Sequence, residues 1–309
     1  MKQGAKHASR PLSLIINADD YGLHPSVDEA ILQCYAAGVL SSASLMVNQP
    51  HWQTAANKAQ AAGLPLGLHF NLTLGRPLSH PAQVPGLVDA DGRFVPRRRL
   101  IARLLAGQTR LAEVRRELHA QCQVFQQSGL AMDHLDSHQH VHAHPRVFQT
   151  VAEYAQAQNV PLRFLQALPL TPTSPVARLP LVKRLKQWLM AHQGQRQARR
   201  WQKNVRHNDF LVSVFDLMRP PMPEWRDYSF IFASLRQLRE KPVSECGHED
   251  CVVEWMVHPV ADARAVAGLT RIGQVSQKEY EILLSPAFSR ALQASGARLI
   301  RFADIPPAG

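Results

Sequence analysis

An α/β fold with parallel strands follows from three features of the sequence. Short apolar runs alternate with helical stretches along nearly the whole chain, the order that parallel strands joined by helical crossovers produce. No composition break marks a domain boundary, so residues 1–309 read as a single domain with a basic excursion over 168–207. Polar residues suited to chemistry close four separate strands, as a convergent site at a barrel mouth requires. That favours a (β/α) barrel over an open doubly wound sheet.

The elements can be placed in order. Residues 12–17, LSLIIN, suit a buried parallel strand and run into Ala18-Asp19-Asp20-Tyr21-Gly22. A helix is predicted from Pro25 to Ala37, with acids in its first turn and Gly38 as its stop signal. Ser44–Val47 form a second strand, Trp52–Ala62 a helix closed by Gly63, and Leu66–Leu72 a third strand that carries His69. Residues 75–96 are rich in Pro and Gly and form a long loop. A helix over 100–127 is expected in two pieces around Gly107. Met132–Ser137 form the fourth strand, and Pro145, tolerated in a first helical turn, opens a helix to Gln158. Leu162–Leu165 read as a fifth strand, with Arg163 on it, and Phe210–Val214 as a sixth. A helix over Ser229–Arg239 precedes a seventh strand, Cys251–Val257, which ends at His258-Pro259. A helical region over 277–295 and a last strand over 298–302 complete the chain.

Composition narrows the class. Hydrophobic residues make up 45% of the 309 positions, enough for a sizeable core. No apolar run approaches the roughly 20 residues that span a bilayer. The start, MKQGAKHASRPLSLIIN, is basic, but its apolar part is too short for a signal peptide, so a cytoplasmic protein is expected. Cys34, Cys122, Cys246 and Cys251 make no disulfide framework, and Cys246-Gly-His-Glu-Asp-Cys251 lacks the second pair that a structural zinc site needs. The net charge of +11 is uneven: Lys183, Arg184, Lys186, Arg196, Arg199, Arg200, Lys203 and Arg206 have no acid among them, with Trp188 and Trp201 interleaved. Such a stretch is either a solvated insertion or a surface for anionic lipid, an acidic partner or nucleic acid. No nucleic-acid-reading motif accompanies it, so no specific nucleic acid is expected.

The chemistry centres on His134-Leu-Asp-Ser-His-Gln-His-Val-His-Ala-His-Pro145, which holds five of the chain's 15 histidines. Alternation along its strand puts His134, Asp136 and His138 on one face, with His138 where the strand gives way to a loop. That density reads as a metal site. Asp19 and Asp20 follow an apolar strand directly, and their mutual repulsion is relieved if a divalent cation binds one and leaves the other free. One carboxylate and two imidazoles leave coordination positions open to water and substrate. A cation so held acidifies water and polarises a carbonyl, the free carboxylate can take the proton, and a histidine such as His258 can protonate the departing group. By ligand softness the set suits Zn²⁺ or Mn²⁺.

These residues carry a resemblance. Asn17-Ala-Asp-Asp-Tyr-Gly22, Gly67-Leu-His-Phe-Asn-Leu-Thr73 with Gly75-Arg-Pro77, Asp91-Gly-Arg-Phe94, His134 to His142 and Glu254-Trp-Met-Val-His-Pro259 stand in order along the chain. In them the sequence resembles the YdjC-like carbohydrate deacetylase family, which includes chitooligosaccharide deacetylases. The resemblance implies a distorted TIM-like barrel and metal-dependent removal of acetyl groups from N-acetylated sugars. It implies that Asp20, His69 and His138 hold the metal, that Asp19 is the general base and His258 the general acid, and that Arg163 supports the base or the substrate. It leans to Mg²⁺ as the ion. His142 is the rival ligand to His69, since helical spacing from His138 could bring it near.

Other readings stay open beside this expectation. Histidine and aspartate clusters on barrels also serve metal phosphoesterases, which commonly hold two cations. The basic stretch over 183–206 could dock the enzyme at a membrane surface beside a lipid-linked sugar. Assembly into a homo-oligomer is left open, as are the sugar and its carrier.

Overall fold

The computed structural model describes residues 11–169, 188, 192, 194–217, 222–240 and 250–307. The first strand, β1 (Leu12–Tyr21), is buried at every one of its 10 positions. Helix α1 (Pro25–Ala36), β2 (Ser42–Leu45), α2 (Trp52–Ala62) and β3 (Leu66–Phe70) follow. Next come α3 (Arg97–Leu105), α4 (Leu111–Gln127), β4 (Met132–Ser137) and, after a 3-10 segment His138–Ala143, α5 (Pro145–Gln158). The chain continues through β5 (Phe210–Val212), a helical turn Val214–Leu217, α6 (Trp225–Arg239) and β6 (Cys251–Val257). It closes with α7 (Gly273–Leu283), α8 (Pro286–Ser295) and β7 (Arg298–Leu299).

The strands form one curled parallel sheet in the order β4-β3-β2-β1-β6-β5, with β7 on β1. Every paired strand runs parallel to its neighbour, so the C-terminal ends of β1, β3, β4 and β6 share one edge. Among the described residues no regular strand lies between β4 and β5, where the segment around Leu162 carries single pairings. Leu162 pairs with Leu135 on one side and His207 on the other, and Ala167 pairs with Leu211. The strand expected over Leu162–Leu165 is therefore not formed as a strand. Its cause is visible: the Asn208 side chain takes both backbone groups of Phe164, accepting from its N–H at 2.8 Å and donating to its carbonyl at 3.0 Å. At that residue a side chain stands where a neighbouring strand's backbone would, while Leu162 and Arg163 keep backbone bonds to Arg206 and Leu135.

Other departures are local. β1 runs on through Asp19 and Asp20, because Tyr21 pairs with Leu45 beyond an irregularity after Ala18. The second strand lies two residues earlier than its apolar run suggested, over Ser42–Leu45. The helix expected from Ser229 begins at Trp225, where Glu224 and Asp227 form a reciprocal cap. The helical region over 277–295 is two helices, since Ser285 caps the second and Pro286 opens it. The break at Gly107, with φ 70°, separates α3 from α4 as expected.

A principal apolar cluster joins β1, β2 and β3 to α1, α2, α4 and α5 and reaches β6 and α6, leaving the strand ends free for polar groups. Trp201, only 9% exposed, belongs to that cluster. Trp188 is 61% exposed. Lys183, Arg184 and Lys186 of the basic stretch, and Cys246, lie outside the described residues.

Candidate active site

The site is built at the edge where four strand ends meet. On a regular strand Asp19 and Asp20 would point to opposite faces. Here the backbone turns at Asp20, whose φ is 68°, inside the irregularity of β1, so both carboxylates line one cavity. Asp28 of α1 holds the turn that follows. Its carboxylate accepts the Gly22 N–H at 2.7 Å and faces His51 Nε2 at 3.1 Å.

His69 comes from β3 and is the direct register partner of Asp136 on β4. Its Nδ1 donates to Asp136 Oδ1 at 2.7 Å, and its Nε2 lies 3.3 Å from Asp20 Oδ1. His138 follows β4 immediately and sets its Nδ1 2.8 Å from the same Asp20 oxygen. One donor atom from each of Asp20, His69 and His138 lies within 4.8 Å of the others. The donor set fits a cation on chemical grounds. With Nδ1–H given to Asp136, the remaining nitrogen of His69 turns a lone pair toward a carboxylate oxygen unless a second proton or a cation intervenes. Burial opposes the imidazolium, but Asp136 and Asp19 outweigh it and lift His69 to about 10. Burial likewise opposes the Asp20 carboxylate, yet His138 and His69 hold it well below the usual range.

Arg163 is fully buried behind the pair of aspartates. Its Nη1 and Nη2 donate to Asp19 Oδ2 and Oδ1 at 2.8 and 2.7 Å, a bidentate grip. It also reaches Asp136 Oδ2 at 2.7 Å and donates through Nε to Glu254 Oε1 at 2.7 Å. Asn17 Nδ2 donates to Asp19 Oδ1 at 3.0 Å and fixes that carboxylate further. His258 follows β6 and places Nε2 3.8 Å from Asp19 Oδ2, with its ring edge-on to Phe215 at 5.0 Å. Burial, with His69 and Arg163, pulls the His258 imidazolium below its ordinary value, against Asp19 and Asp20. All five groups (Asp19, Asp20, His69, His138 and His258) line a cavity of about 870 Å³. That size suits a small-molecule site, which typically measures about 300–1,000 Å³.

The family model described as YdjC-like protein covers residues 13–294. The chain belongs to the YdjC-like family. A carbohydrate deacetylase of Geobacillus stearothermophilus is 44% identical over 154 residues, which are 50% of this chain and 60% of that protein. A chitooligosaccharide deacetylase of Serratia marcescens is 41% identical over 152 residues, 48% of this chain and 58% of its own length. The match thus spans a little over half the length of these relatives. A solved structure from Enterococcus faecalis V583, provisionally named for cellobiose-phosphate cleavage, superposes with a TM-score of 0.71 over 94% of this chain and 98% of that one. At 24% identity it speaks to the shared fold.

Set against the sequence expectations, this YdjC-like chain gathers Asp19, Asp20, His69, His138, Arg163 and His258 at one edge of the sheet. His142 does not join the trio. Gln139 and His140 have φ of 52° each, so the segment lacks the helical spacing that would bring His142 round. Its Nδ1 bonds Ser137 Oγ instead. Ser44, Asp136, Glu254 and Glu279 support the site without having been assigned a role. Asp136 and Glu254 carried a signal, since each shares a strand parity with a site histidine two or four residues on. Ser44 and Glu279 carried none. Glu279, from α7, accepts the His258 backbone N–H at 2.6 Å.

Proposed function

We propose that this YdjC-like protein hydrolyses the acetamide of an N-acetylated sugar, giving the free amine and acetate, with one divalent cation held by Asp20, His69 and His138. The observation that carries the reading is the meeting of those donors within 4.8 Å beside Asp19, across from His258. The carbohydrate and chitooligosaccharide deacetylases among its relatives support the substrate class. Bound there, a divalent cation supplies Lewis acidity to a carbonyl oxygen and acidity to water.

The chain's own groups then divide the work. Asp136 fixes the orientation of the His69 ring from behind. Arg163 and Asn17 hold Asp19 in one orientation, with Oδ2 4.0 Å from His69 Nε2 and 3.8 Å from His258 Nε2. Asp19 is the base that takes a proton from the attacking water. His258, on the other side, gives a proton to the nitrogen as the C–N bond breaks and acetate departs. Leu23, Phe215, Leu269 and Ile272 offer the cavity an apolar wall, and Arg97, Arg98 and Arg271 a basic one. Mg²⁺, Zn²⁺ and Mn²⁺ are the ions to compare.

A two-cation phosphoesterase is less well supported. Among the described residues the other trio close enough to chelate, Asp19, His69 and Asp136, shares His69 with the first and has both carboxylates on Arg163. The test is to incubate the protein with N-acetylated mono-, oligo- and lipid-linked sugars, with and without chelator, and to measure acetate. Release that stops with chelator and returns with a divalent ion is expected. Release from none of the panel, or release indifferent to chelator, would overturn the reading.

A further inference from the structure

Behind the candidate site a chain of buried side chains runs from His69 and Asp136 to groups that the proposed reaction does not use. His134 Nδ1 lies 3.1 Å from Asp133 Oδ2, and His134 Nε2 lies 2.9 Å from Ser44 Oγ. Ser44 Oγ donates to Asp136 Oδ2 at 2.9 Å, and Asp136 Oδ1 accepts from His69 Nδ1 at 2.7 Å. Asp133, His134, Ser44, Asp136 and His69 are all buried.

The far end of this chain is anchored on several sides. The His134 ring stacks on Phe302 with centroids 4.1 Å apart, and Asp133 Oδ1 accepts the Ala303 N–H at 3.1 Å. On β3, Gly67 faces the same ring. A Cβ at that position would overlap His134, so glycine provides the room the ring occupies. The glycine two residues before His69 and the histidine two before Asp136 are therefore one fitted pair.

Proton bookkeeping gives His134 its influence. Ser42 Oγ donates to Asn17 Oδ1 at 2.6 Å, which leaves Asn17 Nδ2 to donate to Ser44 Oγ at 2.8 Å. Ser44 has a single proton to give, and both Asp136 Oδ2 and His134 Nε2 are within reach. When Nε2 carries its own hydrogen, the hydroxyl proton points to Asp136. When it does not, that proton turns to His134, and Asp136 Oδ2 keeps only Arg163, at 2.7 Å.

We propose that His134 is a positioning residue for His69, acting through Ser44 and Asp136. Through Nε2 it decides whether the Ser44 proton goes to Asp136 or to His134 itself, and Asp136 in turn fixes the ring orientation of His69 and keeps a proton on its Nδ1. The consequence for metal binding rests on the reading of His69 as a ligand of the cation, whereas the effect on the ring does not.

The test compares His134→Ala, His134→Gln, Ser44→Ala and the Ala/Ala double variant in the full chain. Two readouts are taken: Zn²⁺ affinity by competition with a chromophoric chelator, and the ring ¹H–¹⁵N signals of His69 in metal-free protein. His134→Ala and Ser44→Ala should each weaken Zn²⁺ binding about tenfold or more. The double variant should be no weaker than Ser44→Ala alone, because both changes cut one chain. His134→Gln, whose amide can donate to Ser44 or accept from it, should recover most of the affinity and keep the His69 ring signals in place, while His134→Ala shifts them. Where acetate release is measured, kcat should fall and KM stay. Wild-type affinity with unshifted ring signals in folded His134→Ala overturns the proposal, as do additive losses or a Gln variant as impaired as Ala. If His134→Ala does not fold, Ser44→Ala and His134→Gln decide it by the same readouts. A wild-type chain that binds no Zn²⁺ would count against the cation reading, and the His69 ring signals would still decide this one.

Discussion

Arg163 and Asp19 lie 144 residues apart in sequence and meet through two parallel bonds of 2.8 and 2.7 Å. Around this pair the site is electrostatically closed. The same guanidinium faces Asp136 and Glu254, so one buried cation serves three carboxylates. The burden shows on Glu254. Burial foremost, with Asp19 and Asp136 adding to it, raises its carboxyl to about 7 despite Arg163. Arg163 thus links the ends of β1, β4 and β6 through the irregular segment that follows α5.

Removing that cation should be severe. Arg163→Ala leaves three buried carboxylates without the cation they share, a change that typically costs about 3–5 kcal/mol. Arg163→Lys keeps the charge but cannot hold Asp19 by two bonds, so it should fold and lose most turnover. Urea unfolding and steady-state kinetics together check this pair. Full activity in Arg163→Lys would show that the bidentate grip has no catalytic consequence.

Asp19 and Asp20 should separate cleanly by substitution. Asp19→Asn keeps the size and the contact with Asn17 or Arg163 on one oxygen, and leaves Asp20, His69 and His138 in place. It should bind a divalent ion as wild type does and lose turnover by at least about a hundredfold. Asp20→Asn should weaken the ion itself. Calorimetric titration of both variants with Zn²⁺, beside acetate release, makes the comparison. A metal-loaded Asp19→Asn of near-normal rate would refute the base assignment.

How much of this was legible depended on the range of the interaction. The apolar runs of β1 and β6 announce buried parallel strands, and the strand-end rule then places Asp19, Asp20 and His258. The histidine pattern exposes His138, and with it the parity of His134 and Asp136. The segment at Leu162 looked like a strand because its composition is apolar, but the partner of Phe164 within it is the Asn208 side chain, which no periodicity reveals. Ser44 was hidden for the same reason: its contacts to His134 and Asp136 span 90 and 92 residues. Serine in an apolar strand carries no mark of the bond it will make.

Glu279 predicts how stability responds to pH. Burial raises its carboxyl to about 8, against the bonds from the His258 N–H and Tyr228. A carboxyl with a folded value above its unfolded one stabilises the fold fully below the unfolded value, near 4.5, and that contribution is lost as pH rises through about 8. Glu279→Gln mimics the neutral form at every pH. Wild type and variant should melt alike near pH 4.5, while at pH 8.5 the variant should be the more stable, by no more than about 5 kcal/mol. Thermal melts across that range test the sign. A variant less stable than wild type at pH 8.5 would mean that the fold favours the Glu279 carboxylate over its neutral form.

The proposed proton donor can be tested through the group that leaves. His258 sets Nε2 3.8 Å from Asp19 Oδ2, and its ring is steadied by Phe215 and, through the backbone, by Glu279. An amine leaving group is a poor one and needs a proton as the C–N bond breaks, whereas an activated phenol leaves without help. His258→Ala should therefore slow an acetamide by about a hundredfold or more and an activated acetate ester far less. The wild-type chain should also lose acetamide activity with rising pH as the His258 imidazolium, held below its ordinary value by burial, gives up its proton. The ester should be spared that limb. Equal slowing of both substrates in His258→Ala would move His258 from proton transfer to a role in shaping the cavity.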